Sequence, residues 1–296
     1  MSQPARLEFV IFQRAIPNEF HAYLSIEHRS VLKQMPHFYA ALGVLIEGKP
    51  VGISLIHLPA VSQRPAKLLD FYIDEAFRRQ GIGRALMNQL CLLLKKAGVQ
   101  ELNVEYLRSE RDQTMLSPFF QACDFDLPVP GIYVYSSSLQ VPQEFSWVKR
   151  LSLPESFTTS PFHSISSEER DRIKVGVGEW YPSILDPFAD EELIDKGRSV
   201  ILRHNGAVVG WLIFEPFDDK TILCKTMFVR NPFQRMARGV ALLAEASRRM
   251  ATDPVYTELI FFVEAENQPM VKFLKKHVCS QHIKEEILWR THKTLD

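Results

Sequence analysis

The chain repeats itself once, and that repeat governs what it can fold into. VLIEGKPVGISLIHLP (44–59) is matched by VILRHNGAVVGWLIFEP (200–216): an apolar run, a polar turn with a glycine (Gly48, Gly206), then Val51-Gly52 or Val209-Gly210 and a second apolar run. This is the pattern of a β-hairpin written twice. Downstream, LLDFYIDEAFRRQGIGRALMNQL (68–90) lies over CKTMFVRNPFQRMARGVALLAEA (224–246). Ile73 falls on Val229, Arg78 on Gln234, Gly81 on Ala237, Gly83 on Gly239, and Ala85-Leu86 on Ala241-Leu242. From Gly81 to Ala237 the offset is 156 residues in a chain of 296. A period of half the chain is too long for a solenoid and fits two domains in tandem.

Each half then reads alike: a helical N-terminal region, a hairpin, a third strand, a short loop, a long helix, and a strand at QELNVEYL (100–107) or TELIFFVEA (257–265). A short helix and one or two strands finish each half. The fold class is α/β, or layered α+β, with a mixed central sheet flanked by helices. The segment 136–161, rich in Ser, Pro and Thr at its ends, carries the junction. The expected domains are 1–143 and 144–296, and the residues at 145–153 read as strand-like.

The loop between the third strand and the long helix holds the chemistry. Ile82, Ala85, Leu86, Leu90, Leu93 and Leu94 fall at helical spacing, so RRQGIG (78–83) occupies the loop and first turn. A helix start carries amide N–H groups without intrahelical partners and a partial positive charge, which together bind anions. Glycine lets an anion approach the backbone, and Arg78, Arg79 and Arg84 add cationic donors. The spacing of a P-loop is absent. A dinucleotide fingerprint would place Leu86 at its third small position, where it is too large for close helix–strand packing.

The pattern Arg78-x-x-Gly81-x-Gly83, after the strand LLDFYI and before Ala85-Leu86, resembles the acetyl-CoA loop of the GNAT superfamily of N-acetyltransferases, Q/R-x-x-G-x-G/A. The resemblance extends over both halves and implies two tandem GNAT-like domains. It implies that acetyl-CoA, as co-substrate, rests its pyrophosphate on the amides near Arg78, Arg79, Gln80, Gly81, Ile82, Gly83 and Arg84. It sets Phe71, Tyr72 and Ile73 beside the thioester. The second copy, with Val229 before Gln234-x-x-Ala237-x-Gly239, departs from the pattern by the methyl of Ala237. On these grounds cofactor binding is expected in the first half, with the second half, or both, as the other readings.

The implied reaction is transfer of acetyl to an amine by direct attack. The residues considered for it are Asp70 as base, Tyr72 as acid on the same strand face, and Glu105 as an alternative base at the end of the next strand, matched by Glu264. The family's usual acid, a tyrosine in the late short helix, is replaced by Phe120 in one half and Leu274 in the other. A non-catalytic CoA-binding protein, or one catalytic half beside a scaffold half, stays open for that reason. The second half keeps the family's asparagine, Asn267. Trp180 and Tyr181, in EWYPSILDPF, lie in the region that lines the family's acceptor pocket, and also read as core packing.

Composition adds exclusions. Lys plus Arg and Asp plus Glu are 35 each, so no basic excess points to nucleic acid. No apolar run reaches membrane-spanning length, and the N-terminus lacks the features of a signal peptide. Four cysteines without a C-x-x-C fit a reducing compartment, and a cytoplasmic location is expected. His277, Cys279 and His282 lack a fourth clustered ligand and make a poor metal site. Ser166 and Glu169 have the spacing of a helix capping box. The acceptor is unspecified: small-molecule and peptide amines both fit.

Overall fold

The structure is a computed structural model that describes residues 6–31, 33–58, 65–234, 236–278 and 280–295. Two compact units divide the chain: residues 1–131 with 287–296, and residues 132–286. The expected boundary at 143/144 is one cut; the compact units need two, because the last strand belongs with the first unit.

In the first unit β1 (Leu7–Phe12) is followed by two 3-10 turns, Asn18–Tyr23 and Ile26–Val31. The hairpin β2 (Tyr39–Ile46) and β3 (Lys49–His57) comes next, then β4 (Ala66–Ile73), α1 (Ile82–Lys96), β5 (Glu101–Arg108) and α2 (Glu110–Ala122). The expected helical N-terminal region is thus built of 3-10 turns here.

The second unit takes β6 (Val129–Ser138) from Ile132 on, then α3 (Ser146–Arg150), β7 (Phe157–Pro161) and α4 (Ser167–Val175). The hairpin β8 (Val200–His204) and β9 (Ala207–Pro216) leads to β10 (Thr221–Val229), α5 (Asn231–Gln234), α6 (Arg238–Met250), β11 (Glu258–Glu264) and α7 (Gln268–His277). The chain ends in β12 (Lys284–Thr294). The stretch at 145–153, strand-like in sequence, is mostly the short helix α3, which buries Val148. Ser166 and Glu169 close the capping box at the start of α4, each side chain accepting from the other's backbone N–H.

Each unit has a mixed sheet of the same design. In the first, β1, β2, β3 and β4 are antiparallel neighbours, β4 and β5 are parallel, and β12 pairs antiparallel with β5. In the second, β7, β8, β9 and β10 are antiparallel neighbours, β10 and β11 are parallel, and β6 pairs antiparallel with β11. The first unit's sixth strand therefore comes from the end of the chain, and the second unit's precedes its other five strands. The long helix packs one apolar stripe on its sheet: Ile82, Leu86, Leu90 and Leu94 are buried under α1. Full burial of such a side chain contributes about 1.5–3 kcal/mol.

Two glycines fix the strand before the loop. A Cβ on Gly52 would lie 2.6 Å from the Tyr72 carbonyl oxygen, and one on Gly210 would lie 2.5 Å from that of Phe228. The Val-Gly repeat read in the sequence thus marks where β3 and β9 press on the strands that carry the loops.

Candidate functional site: two strand forks and their loops

In each unit the two parallel strands pair only at their beginnings. β4 and β5 are in register from Ala66–Leu102 to Leu68–Val104, and β10 and β11 from Thr221–Glu258 to Cys224–Phe261. Beyond those points β4 follows β3 and β10 follows β9, and a fork opens on the parallel side. A register shift marks the fork in both units, at Leu69 between Leu68 and Asp70, and at Lys225 between Cys224 and Thr226. Such a bulge bends the strand away from its neighbour. Asp74 N–H donates to the Val51 oxygen, and Arg230 N–H to that of Val209. Antiparallel alternation then turns the backbone groups of Phe71 and Ile73, and of Met227 and Val229, into the fork.

The loops are braced alike. Arg78 Nε donates to the Ile73 carbonyl at 3.0 Å, and Gln234 Nε2 donates to the Val229 carbonyl at 2.6 Å. The first residue of the motif therefore ties the loop to the strand end. The guanidinium of Arg78 also lies over the Tyr72 ring and pairs with Glu75. Gly81 (φ 82°) and Ala237 (φ 57°) are both left-handed and precede the helix. Neither makes a side-chain cap, so the first-turn amides of α1 and α6 are open to an anion, whereas Asn267 caps α7 through its own side chain. Arg79, Gln80 and Arg84 are exposed around the first loop, with Gln80 donating to the Ala76 carbonyl; Ile82 is core.

The forks differ in what fills them. In the second unit a cavity of about 620 Å³ runs through the fork. Its walls include Thr226 and Met227 of β10, Val263 and Glu264 of β11, Leu243 of α6 and Leu274 of α7. Pro182, Ile184 and Leu185 reach it from the opposite face of the sheet, beside Lys225. The Thr226 hydroxyl is buried and has no hydrogen-bond partner among the described residues. Lys225 Nζ donates to Glu215 at 2.5 Å and to Asp190 at 3.0 Å. Burial alone would lower its pKa; the two carboxylates outweigh that and raise it, so the ammonium is held charged. Burial pushes the Cys224 thiol up to about 12, which keeps it protonated and unreactive.

In the first unit the matching space carries aromatic rings. Phe71 meets Phe119 at 5.5 Å, Phe119 meets Phe120 at 5.4 Å, and Phe120 stacks on Tyr106 at 5.3 Å. A Cβ built on Gly83 would lie 3.3 Å from the Phe119 ring, so that ring reaches the first turn of α1. A Cβ on Gly239 would meet nothing closer than 3.8 Å. Phe273, which takes the place of Phe119 when Leu274 is set on Phe120, turns instead to Trp147 at 5.9 Å.

The residues considered for catalysis are separated by their partners. Asp70 Oδ2 accepts from Ser25 N–H at 2.7 Å and faces His28 Nδ1 at 3.3 Å. Tyr72 stacks on Tyr23 at 5.6 Å. Glu105 accepts from Arg290 Nε at 2.9 Å. Trp180 and Tyr181 pack with Trp211 and Phe228 in a buried aromatic cluster, and Tyr181 is 2% exposed. Among the described residues no His, Cys, Asp and Glu group could hold a metal; Cys279 lies outside them, and His282 pairs with Glu144. No helix among the described residues is long and apolar enough to cross a membrane. Sequence reasoning missed Lys225 and Thr226. The signal was their place at the second copy of the strand, over Leu69 and Asp70, where the charged residue moves by one position between the halves.

The sequence model of the acetyltransferase (GNAT) family matches residues 8–125 and 162–278, one match in each half. Among solved structures, a tandem GNAT protein from the clavulanic acid biosynthesis pathway is 16% identical, with a TM-score of 0.56 over 98% of this chain and 99% of that one. A GCN5-related N-acetyltransferase from Sphaerobacter thermophilus is 18% identical, with a TM-score of 0.55 over 86% of this chain and 80% of that one. At these identities the likeness is one of fold. Among curated proteins no sequence matches the chain.

Proposed function

The chain belongs to the acetyltransferase (GNAT) family, and on that premise we propose that it transfers an acyl group from an acyl-CoA to an amine, with the second unit as the binding site. Acetyl is the acyl group that the loop resemblance implies. The observation that carries this reading is the fork between β10 and β11, which holds a cavity where the fork between β4 and β5 holds rings. The intact glycine pattern of the first loop favours the first unit; the space behind the loop favours the second. A ligand with an arm needs that space, so the second unit is preferred.

On this reading the first-turn amides of α6, including Gly239, hold the diphosphate, and the strand edge at Met227 and Val229 pairs with the pantetheine arm. The amine enters from the opposite face, past Pro182 and Ile184. One proton passes from the incoming ammonium to a carboxylate; Glu264, in the cavity wall, is the group we assign. The amine nitrogen bonds to the thioester carbon, the C–S bond breaks, and the electron pair leaves with sulfur. A strand N–H at Met227 or Val229 faces the carbonyl oxygen as it gains charge. The thiolate takes up one proton, so the products are an amide and free CoA. Leu274 offers no hydroxyl for that step. The Thr226 O–H, in the cavity wall and without a partner among the described residues, is the polar group we assign to the leaving sulfur; the Lys225 ammonium already donates to Ala189, Asp190 and Glu215.

The test uses the whole chain and two matched substitutions, Ala237→Asp and Gly81→Asp. Aspartate enters the left-handed region more readily than most residues, though at Gly81, with φ 82°, it strains the backbone, so the folding of each variant is checked by circular dichroism before titration. Its carboxylate would repel a diphosphate. CoA affinity by calorimetry is expected to fall at least tenfold in Ala237→Asp and to stay unchanged in Gly81→Asp. The reverse result would return the site to the first unit.

A further inference from the structure

The cavity of the second unit continues well past the fork. Beyond it the cavity runs between α6 and α7, with β11 as its floor. Leu243, Ala246 and Met250 line one wall at spacings of three and four residues, which places them on one side of α6. Met270, Leu274 and Val278 line the other wall at spacings of four, on one side of α7. Leu259, Phe261 and Val263, alternate residues of β11, form the floor. From Leu243 to Met250 the helix advances roughly 10 Å at 1.5 Å per residue. Phe145 and Trp147 also line it. Trp147 is held there by its indole N–H, which donates to the His277 carbonyl at 3.0 Å, and Arg248 ties α6 to the carbonyls of Val148 and Leu151.

An acetyl group at the fork would leave this apolar groove without an occupant, and apolar surface of this extent favours an apolar ligand. We propose that the groove takes the hydrocarbon tail of the acyl donor, and that the substrate is an acyl-CoA with a chain longer than acetyl. The proposal rests on the placement of CoA in the second unit. The donor rather than the acceptor is assigned to the groove because of sidedness. The loop proposed for the diphosphate is the start of α6, and the groove lies on the α6 side of the sheet. Pro182, Ile184, Leu185 and the Lys225–Glu215–Asp190 cluster mark the other side, where the amine is placed. A chain on the thioester reaches the groove from the fork without crossing the sheet. In the first unit Phe120 and Phe125 of the comparable region meet at 5.5 Å and pack into the core.

The test is calorimetric titration of the full chain with CoA, acetyl-CoA, hexanoyl-CoA and decanoyl-CoA, each below its micelle concentration. Affinity is expected to rise with chain length, by about fourfold for each methylene buried, until the groove is full. Ala246→Phe, which places a ring in the middle of the groove, is expected to abolish that dependence while CoA itself still binds. Leu259→Phe, on the floor where β10 and β11 are still paired, does the same and serves if the first variant fails to fold. Equal affinity for all four ligands overturns the acyl-chain assignment and leaves the CoA site standing. A length dependence that both variants leave intact also overturns it. A protein that binds none of the four overturns both readings.

Discussion

The two units are built on one plan and differ in what they leave empty. Both have a fork between two parallel strands, a bulge at its base, a side chain bracing the loop to the strand end, and a helix that begins uncapped after a left-handed residue. The first unit keeps both glycines of the loop, yet lines the fork with the rings of Phe71, Phe119, Phe120 and Tyr106. The second replaces one glycine by Ala237 but keeps a cavity of about 620 Å³. A loop motif describes how an anion is met; the side chains behind it decide whether the rest of a ligand has anywhere to go. This is why the weaker motif marks the preferred site.

The comparison breaks most visibly at Phe120, which is 6% exposed in the first unit's core. Phe120→Ala is expected to lower stability by about 3–5 kcal/mol in denaturant unfolding, the usual cost of emptying a buried aromatic site. Its CoA affinity should match that of the unaltered chain. A loss below about 1 kcal/mol would show that the ring does not fill the fork. A smaller effect sharpens what the units share. Gly52→Ala and Gly210→Ala each force a methyl to within 2.6 Å or 2.5 Å of a carbonyl oxygen. Each should cost about 1–3 kcal/mol, and the two losses should be similar. Unequal losses would mean that the hairpins do not press on their loop strands in the same way.

The smallest effect concerns pH. The Arg170 guanidinium, helped by Lys196, outweighs desolvation and holds the Glu191 carboxyl down, from 4.5 to about 2. Arg203 lowers Glu169 in the same way. A carboxyl depressed in the folded state stabilises the fold above its unfolded pKa. That contribution is lost as pH falls from 4.5 toward 2. The melting temperature should drop across this window, and Glu191→Gln should flatten part of the drop. An acid limb identical in the variant would remove Glu191 from the account.

Much of this was legible in the sequence where the cause is local or repeated. The Val-Gly pairs, the loop at the start of each long helix and the Ser166–Glu169 box each depend on a few neighbouring residues. The partner of the last strand was not legible, since β12 pairs with a strand far back in the chain, from Thr294 opposite Glu101 to Ile287 opposite Arg108. For Asp70, alternation gives only the face of the strand. It does not reveal that Ser25 and His28 meet it there. Phe120 and Leu274 were read as two losses of one tyrosine. Their difference in bulk and in neighbours, which separates a filled fork from an open one, appears only once α2 and α7 are packed.

The account's central claim is that the second fork, and not the first, receives the coenzyme. A crystal structure of the full chain grown in excess CoA tests it most directly. The account predicts a diphosphate against the first turn of α6, beside Ala237 and Gly239, with the pantetheine arm running along Met227. A diphosphate at Gly81 and Gly83 with the second fork vacant would contradict it.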